Sequence, residues 1–262
     1  MRQFIAGKKP DKDGCLSIDA KDEKYLTRVL RLKEGSSIDV RHKDGSIQSM
    51  SLLKKQNVWV LVPNVDSSVS VETGVKAADI PSFNKNFILL QFMPKLQKMD
   101  QIVRQASECG ISEIYPVKGD FSSMKDCPER IDRWERIVKE ARQQSGSPVD
   151  TMVHEPADFK SVLKHLEDKK DVQTVHIVLT EAAPGSSSVF SILGSFTETE
   201  RVVLAVGCEG GFSKKEMEML DEAGFKHLHF NTNVLRAETA ALYGIAVIQN
   251  AVMEKKSWRE QE

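Results

Sequence analysis

The sequence predicts an α/β protein with a mostly parallel sheet, preceded by a small β-rich unit. Three observations lead there. Phe87–Phe92 (FILLQF) and Arg201–Val206 (RVVLAV) are near-continuous apolar runs, as strands buried on both faces of a parallel sheet require. From Asn86 onward such runs alternate with stretches of helical periodicity, the signature of βαβ units. Ahead of them, short strand-like runs flank Lys43-Asp44-Gly45, a strong hairpin turn.

Residues 1–73 are expected to form a first domain. Within it, residues 19–32 (DAKDEKYLTRVLRL) predict a helix, with Leu26, Val29, Leu30 and Leu32 towards its C-terminal half and Gly35 as its stop. Residues 37–41, 47–53 and 58–62 predict strands of a compact β-barrel-like module. Residues 74–84 (GVKAADIPSFN) lack periodicity and read as a linker, leaving 85–262 as the second domain.

In that domain Pro94 opens a helix running to Glu108, with Met99, Ile102, Val103 and Ala106 on one face and Gly110 after it. A strand at 111–117 and a helix at 126–144 follow, the latter with Pro128 near its start and Ile131, Trp134, Ile137 and Val138 at helical spacing. Next come a short strand (151–154), a helix (157–166), a strand (174–179) and a shorter helix after Pro184. After the strand at 201–206, Ser213–Glu216 (SKKE) is a capping box that starts a helix. A strand at 227–230 precedes the last helix, 237–255. Leu242, Ile245, Ile248 and Val252 form one apolar stripe on it; Ala240, Gly244, Val247 and Ala251 form another. Two stripes mean burial on two sides, either within one subunit or against a second copy in an isologous dimer.

Composition excludes several classes. The 262 residues carry 37 basic and 38 acidic side chains, net charge −1, so the chain is no general polycation. Residues 1–73 carry 13 basic against 10 acidic groups, and the remainder 24 against 28, which puts the basic bias in the first domain. Cys15, Cys109, Cys127 and Cys208 form no CxxC pair and no zinc-like spacing with histidine, so neither a metal site nor a disulfide framework is expected. That usage fits a reducing, cytoplasmic setting. The first ten residues, MRQFIAGKKP, lack a signal-peptide core, and no run is long enough to span a membrane.

The chemistry concentrates in residues 201–239. Two loops leave strands there, and both open into helices; they are expected on neighbouring strands, at the carboxyl ends where α/β sheets bind ligands. In the first, Gly207, Gly210 and Gly211 permit close backbone approach, or simply a tight turn. The chain holds no GxGxxG fingerprint and no GKS or GKT phosphate loop, which removes support from the common nucleotide enzymes. Glu209 lies inside that loop, either capping a backbone N–H or meeting a ligand. In the second loop Glu238 is favoured by the helix dipole whatever its function, whereas Arg236 is not, which makes Arg236 the more informative residue. His227 and His229 read as partly buried structural side chains rather than a metal pair. Arg2, Arg28 and Arg31 are either solvated charge or a phosphate-contacting surface.

These stretches resemble a known family. AVGCEGGFSKKEMEMLDEAGF followed by NVLRAETAAL is similar to the paired loops of the 16S ribosomal RNA uridine-N3 methyltransferases of the RsmE type, in the SPOUT superfamily, whose pattern is close to GPEGGFS..E and ILR.ETA. LLQFMPKLQKMDQIVRQASECGISEIYPV, RWERIVKEARQQSG and KYLTRVLRLKEGSSIDV resemble further segments in the same order, so the likeness covers nearly the whole chain. The resemblance implies a C-terminal α/β trefoil-knot domain, a PUA-like N-terminal β-barrel that grips RNA through Arg2, Arg28 and Arg31, and a homodimer formed through the C-terminal domain. It implies S-adenosylmethionine as cofactor, held by Leu179, Val206, Gly207, Gly210, Gly211, Val234, Leu235, Thr239 and Ala240. The substrate would be 16S rRNA, within the small ribosomal subunit. Arg236 would stabilise charge on the uracil, with Glu209 and Glu238 orienting groups or taking the proton. Two rival activities are a ribose 2′-O-methyltransferase of the same superfamily and a non-catalytic RNA-binding assembly factor. The chain departs from the family at Cys208, where proline is usual, at residues 231–233 (Asn-Thr-Asn), where the segment usually begins with glycine, and at Tyr25, where histidine is common.

Overall fold

The structure, a computed structural model, describes residues 3–64, 86–122, 130–167, 173–181, 187–194 and 201–259. Arg2, the linker at 74–84, Cys127 and the start of the helix expected at 126 lie outside these residues. Contacts divide the chain into two compact units: Met1–Ile80 with Arg142–Pro148, and Pro81–Ala141 with Val149–Glu262.

The first unit is built on a five-stranded sheet. β1 (Gln3–Ile5) lies parallel to β3 (Ser37–Arg41), which pairs antiparallel with β4 (Ile47–Lys55), then β5 (Val58–Pro63) and β2 (Leu16–Ser17). One face is the core, where Phe4, Leu16, Ile38, Val40, Met50, Leu52 and Leu61 pack around Leu26. β1 and β2 are too short to show alternation, so the sequence did not mark them. The expected helix at 19–32 is divided. Asp19 caps α1 (Ala20–Lys24), and the chain then widens into a π-helical turn, Tyr25–Val29. Arg31, at φ +56°, ends it, not Gly35; Gly35 instead serves the turn into β3, where its N–H donates to Leu52 O at 2.8 Å. Opposite the core, Arg41 is buried: Nε donates to Gln3 Oε1 at 2.9 Å and an Nη to Gly45 O. Gln3 Nε2 in turn donates to the carbonyls of Arg142 and Ser147, which ties that segment to the sheet. Burial, and then the charge of Arg142, lower the pKa of Arg41.

The second unit holds a seven-stranded, wholly parallel sheet. Its strands are β6 (Phe87–Phe92), β7 (Glu113–Lys118), β8 (Met152–Val153), β9 (Ala157–Asp158), β10 (Thr174–Leu179), β11 (Arg201–Val206) and β12 (Lys226–Leu228). They lie in the order β12-β10-β11-β6-β7-β8, and β9 also pairs with β7. Period-two alternation sorts each strand between two cores. Phe87 and Leu89 of β6 and Val202 and Leu204 of β11 face the core shared with α2 (Leu96–Glu108), α3 (Ile131–Ser145), α5 (Val189–Leu193) and α7 (Ala237–Arg259). Ile88, Leu90 and Val203 face the core shared with α4 (Phe159–Glu167) and α6 (Lys214–Glu222).

Three sequence readings change in this unit. Ala157 and Asp158 form a strand pair with β7, so α4 begins two residues later than expected. β11 and β12 are not neighbours, because β10 lies between them. On α7 the two stripes merge into one buried face, containing Ala241, Gly244, Ile245, Ile248, Ala251 and Val252; Leu242 and Val247 are half-buried. Gly244 allows this approach, since a Cβ there would lie 2.8 Å from Leu179 Cδ1. α3 is fixed by Asp100 of α2, which accepts from Arg133 Nε at 2.8 Å and from the indole N–H of the fully buried Trp134 at 3.1 Å.

Candidate active site

Because the seven strands are parallel, the loops leaving β6, β7, β10, β11 and β12 gather at one edge. After Val206 the chain folds back tightly. The Gly211 N–H donates to Cys208 O at 3.0 Å, and these residues form a single antiparallel bridge. A Cβ on Gly207 would lie 3.0 Å from Gly211 Cα, and Gly211 has φ +68°, so both positions demand glycine. Gly210 lies against Phe121, whose Cβ would be 3.1 Å from a Cβ added there. The loop is anchored from below by Gln91 of β6, which is fully buried. Its Nε2 is within reach of the carbonyls of Phe92 (2.9 Å), Gly207 (3.2 Å) and Val206 (3.3 Å), while its Oε1 has no partner. A lone amide inside FILLQF was the only sequence signal for this anchor.

The second loop runs from β12 to α7. His229 Nδ1 lies 3.1 Å from Thr180 O, and His227 Nε2 lies 2.6 Å from Asp221 Oδ1, so both histidines have structural partners. Among the described residues no cluster of His, Cys, Asp and Glu could hold a metal ion. Val234 is 76% exposed, Arg236 and Thr239 are exposed, and Leu235 and Ala240 are half-buried. Among the described residues Arg236 makes no ion pair; its backbone carbonyl accepts from Ala240 N at 2.7 Å.

Lys98 of α2 joins the two loops. Its ammonium lies 3.2 Å from Glu209 Oε1 in the glycine loop and 3.3 Å from Glu238 Oε2 in the first turn of α7. The Lys95 N–H also donates to Glu209 Oε1, at 3.2 Å. Burial alone would raise the pKa of Glu209, but backbone donors and the Lys98 charge outweigh it and hold the carboxyl below its usual range. Burial likewise opposes the charge on Lys98, yet the two carboxylates raise its pKa overall. Lys98 lies within the family-like segment LLQFMPKLQKMD, but the sequence alone assigns it no role, since a lysine on a helix reads as solvated charge.

A third loop is tied in through Glu216 of α6, which is 6% exposed. One of its oxygens accepts the Ser213 N–H at 2.7 Å, completing the capping box; the other accepts the Asp120 N–H, also at 2.7 Å. Gly119 leaves room for this, because a Cβ there would lie 2.5 Å from Glu216 Oε1. Phe121, 52% exposed, stands at the tip of the loop so held.

The structure therefore brings Val206, Gly207, Gly210, Gly211 and Glu209 together in one loop, joins that loop to Glu238 through Lys98, and puts Val234, Leu235, Arg236, Thr239 and Ala240 along the second loop and the start of α7. Leu179 closes β10 between the two strands concerned. Arg28 and Arg31 belong to the first unit, where both are exposed. Among the described residues no helix is long and apolar enough to cross a membrane.

Comparison with known proteins identifies the family. The chain is 28% identical over 232 residues to "Ribosomal RNA small subunit methyltransferase E 2" of Borreliella burgdorferi, covering 87% of this chain and 88% of that one. It is 27% identical over 242 residues to "Ribosomal RNA small subunit methyltransferase E" of Aquifex aeolicus, covering 92% and 96%. Its fold superposes with a TM-score of 0.72, at 21% identity and over 95% of this chain and 97% of the other, on a ribosomal RNA small subunit methyltransferase E from Neisseria gonorrhoeae bound to S-adenosyl methionine. Residues 81–249, which include every loop of the site, match the pattern of the RNA methyltransferase domain, and the chain belongs to that family.

Proposed function

We propose that this chain transfers the methyl group of S-adenosylmethionine to N3 of a uridine in 16S ribosomal RNA of the small subunit. One observation carries the proposal. The two stretches that resemble the family's paired loops, although separated by β10 in the sheet, are joined at one edge by the Lys98 ammonium. The names of the relatives, each a methyltransferase of small-subunit ribosomal RNA, supply the substrate class.

The residues fit the cofactor. Gly207 and Gly211 leave backbone uncovered by side chains, and the half-buried Leu179, Leu235 and Ala240 offer apolar surface with Val206 and the exposed Val234. These residues, with Gly210 and Thr239, are assigned to holding it. When bound, S-adenosylmethionine supplies a methyl group activated on a sulfonium. The chain's own task is then orientation and charge. Loss of the N3–H proton spreads negative charge onto the uracil oxygens, and Arg236, exposed and free of ion pairs among the described residues, is assigned to meet it. Glu209, held ionised by Lys98 and by backbone donors, is a weak proton acceptor, so Glu209 and Glu238 act by setting the spacing of the two loops. The target base is turned out of its helix to reach the site.

Several finer features belong to the same proposal. The second domain, 85–262, is a SPOUT-type trefoil knot. Its support is that α7, although it follows edge strand β12, packs against β11 and α2. The first domain, 1–73, is a PUA-like barrel joined by the linker 74–84, and its Arg2, Arg28 and Arg31 contact RNA phosphates. The enzyme is a cytoplasmic homodimer that pairs through its C-terminal domain, where Phe190, Tyr243 and Met253 are exposed apolar side chains on α5 and α7.

The test is nucleoside mass analysis of small-subunit RNA incubated with the protein and S-adenosylmethionine. 3-Methyluridine is expected; a ribose 2′-O-methyl product, or none, would overturn the reading. In the same assay Arg236→Ala should lower kcat while leaving cofactor affinity near normal, and equal loss of both would reassign Arg236 to cofactor binding.

A further inference from the structure

The face of the N-terminal sheet opposite its core is only partly covered. At its β1 end Gln3 and Arg41 are buried through Arg142 and Ser147. Beyond them, where this face meets the core along β3, lies a cavity of about 300 Å³, lined by Leu30, Leu32 and Ile38 from the core side and by Ser37, Asp39 and Ser49. That volume is at the small end of ligand pockets. Strand geometry explains the polar half of the lining. Ser37 and Asp39 alternate with core residues on β3, and the register sets Asp39 opposite Ser49 and Ser37 opposite Ser51.

The polar lining is organised around Asn64. Its Nδ2 donates to Ser49 Oγ at 3.0 Å and to Ser37 Oγ at 3.3 Å, and its Oδ1 accepts from Ser51 Oγ. The Asp39 carboxylate, alone among the polar side chains of the lining, has no hydrogen-bond or ion-pair partner among the described residues, although Asp39 is half-buried. Leu30 and Leu32 form the apolar wall. Arg31 between them holds φ +56°, a conformation that costs a non-glycine residue energy and turns it away from its neighbours' course. Arg31 and Arg28 are exposed on the same short segment.

We propose that this cavity receives an unpaired guanine of the RNA that the enzyme modifies, with Asp39 reading the base and Arg28 and Arg31 holding the flanking phosphates. The inference rests on the RNA-modifying reading above. The choice of base follows from hydrogen-bond chemistry. Guanine presents adjacent N1–H and N2–H donors to the two oxygens of one carboxylate. Adenine and cytosine each set an acceptor beside their single amino donor, and uracil flanks N3–H with two carbonyls. The leucine side chains cover the ring face, and arginine suits phosphate.

The experiment uses the full chain and five-nucleotide RNAs identical except at the central base. Guanine should bind roughly ten- to a hundred-fold more tightly than adenine, cytosine or uracil, the range for one bidentate contact. Inosine, which lacks the 2-amino group, should fall between, so wild-type protein already tests the contact. Asp39→Asn should abolish the preference without changing thermal unfolding or S-adenosylmethionine affinity. Arg28→Ala and Arg31→Ala should weaken all the RNAs alike and reduce the salt dependence by about one phosphate contact each. Equal binding of all bases, inosine matching guanine, or a preference that survives Asp39→Asn would overturn the proposal. An enzyme that methylates rRNA but ignores guanine would sink the pocket alone; a guanine-selective chain without methyl transfer would sink the proposed activity alone.

Discussion

Replacing Glu216 by glutamine changes a single atom type yet should damage the site measurably. The carboxylate is buried and accepts two backbone N–H groups, from Ser213 and Asp120, each at 2.7 Å. Hydrogen bonds to a charged partner contribute about 1.5–3 kcal/mol each. Glutamine keeps one acceptor, now uncharged, and turns an amino group towards the other N–H, so one bond weakens and the second becomes a donor–donor contact. The net cost is about 3 kcal/mol. Urea unfolding of the full chain, with the slope checked for constancy, reads this as a shift in midpoint. Ser213→Ala, which removes the cap and the Ser213 Oγ donation to Asp120 Oδ2, should cost about 1–2 kcal/mol. Gly119→Ala should also destabilise the protein, by more than about 1 kcal/mol, because its Cβ would meet Glu216 Oε1 at 2.5 Å and the Phe92 ring at 2.6 Å. A Glu216→Gln protein within about 0.5 kcal/mol of wild type would refute the reasoning, since it would mean that water or loop movement replaces both bonds.

Other outcomes follow from the same geometry. Gly207→Ala should reduce S-adenosylmethionine affinity at least about ten-fold in calorimetry and also lower the thermal midpoint, because the added Cβ presses on the backbone of the glycine loop. Lys98→Met should lower both cofactor affinity and turnover and Lys98→Arg should restore part of each; indifference to both would remove Lys98 from the site. The Lys98–Glu209 link has a defined pH window. Glu209 has a folded pKa below its ordinary value, so its contribution is present above the ordinary carboxylate range and is lost as pH falls through the lowered value. Lys98 has a raised pKa, so its contribution holds below the ordinary lysine value and is lost only at strongly alkaline pH. Cofactor affinity should therefore be flat through neutral pH and fall on the acid side, and in Lys98→Met that acid limb should move to higher pH. Burial against Phe225 lowers the pKa of His176, so thermal stability should also decline as pH drops below about 6.5, the ordinary histidine value, and His176→Phe should soften the decline.

How much of this was readable beforehand depended on range in the chain. FILLQF and RVVLAV announced buried strands because each residue's environment is the same on both faces, and SKKE announced a helix start because its hydrogen bonds close within four residues. Strand order was not readable. The position of β10 between β11 and β12 is set by long-range pairing that leaves no local periodicity. The same limit hid the second half of the Glu216 role, since Asp120 lies 96 residues away. It hid the partners of Lys98 and Gln91 too, which sit in other loops, although both residues lie in a segment that resembles the family. The helix at 19–32 misled for a local reason: Gly35 is the residue that sequence rules favour as a stop, but the chain turned at Arg31, in a conformation that the rules reserve for glycine and asparagine. The paired loops were recognised through their resemblance to a family, not through periodicity, and their physical connection emerged only with the side chains of α2 in place.

The most direct test of the central claim is the modification map of 16S rRNA from cells with and without the gene for this chain. The account predicts that one 3-methyluridine disappears in its absence, and returns with the wild-type chain but not with a chain carrying Arg236→Ala. A map in which 3-methyluridine is unchanged, or in which a ribose methylation is lost instead, would contradict it.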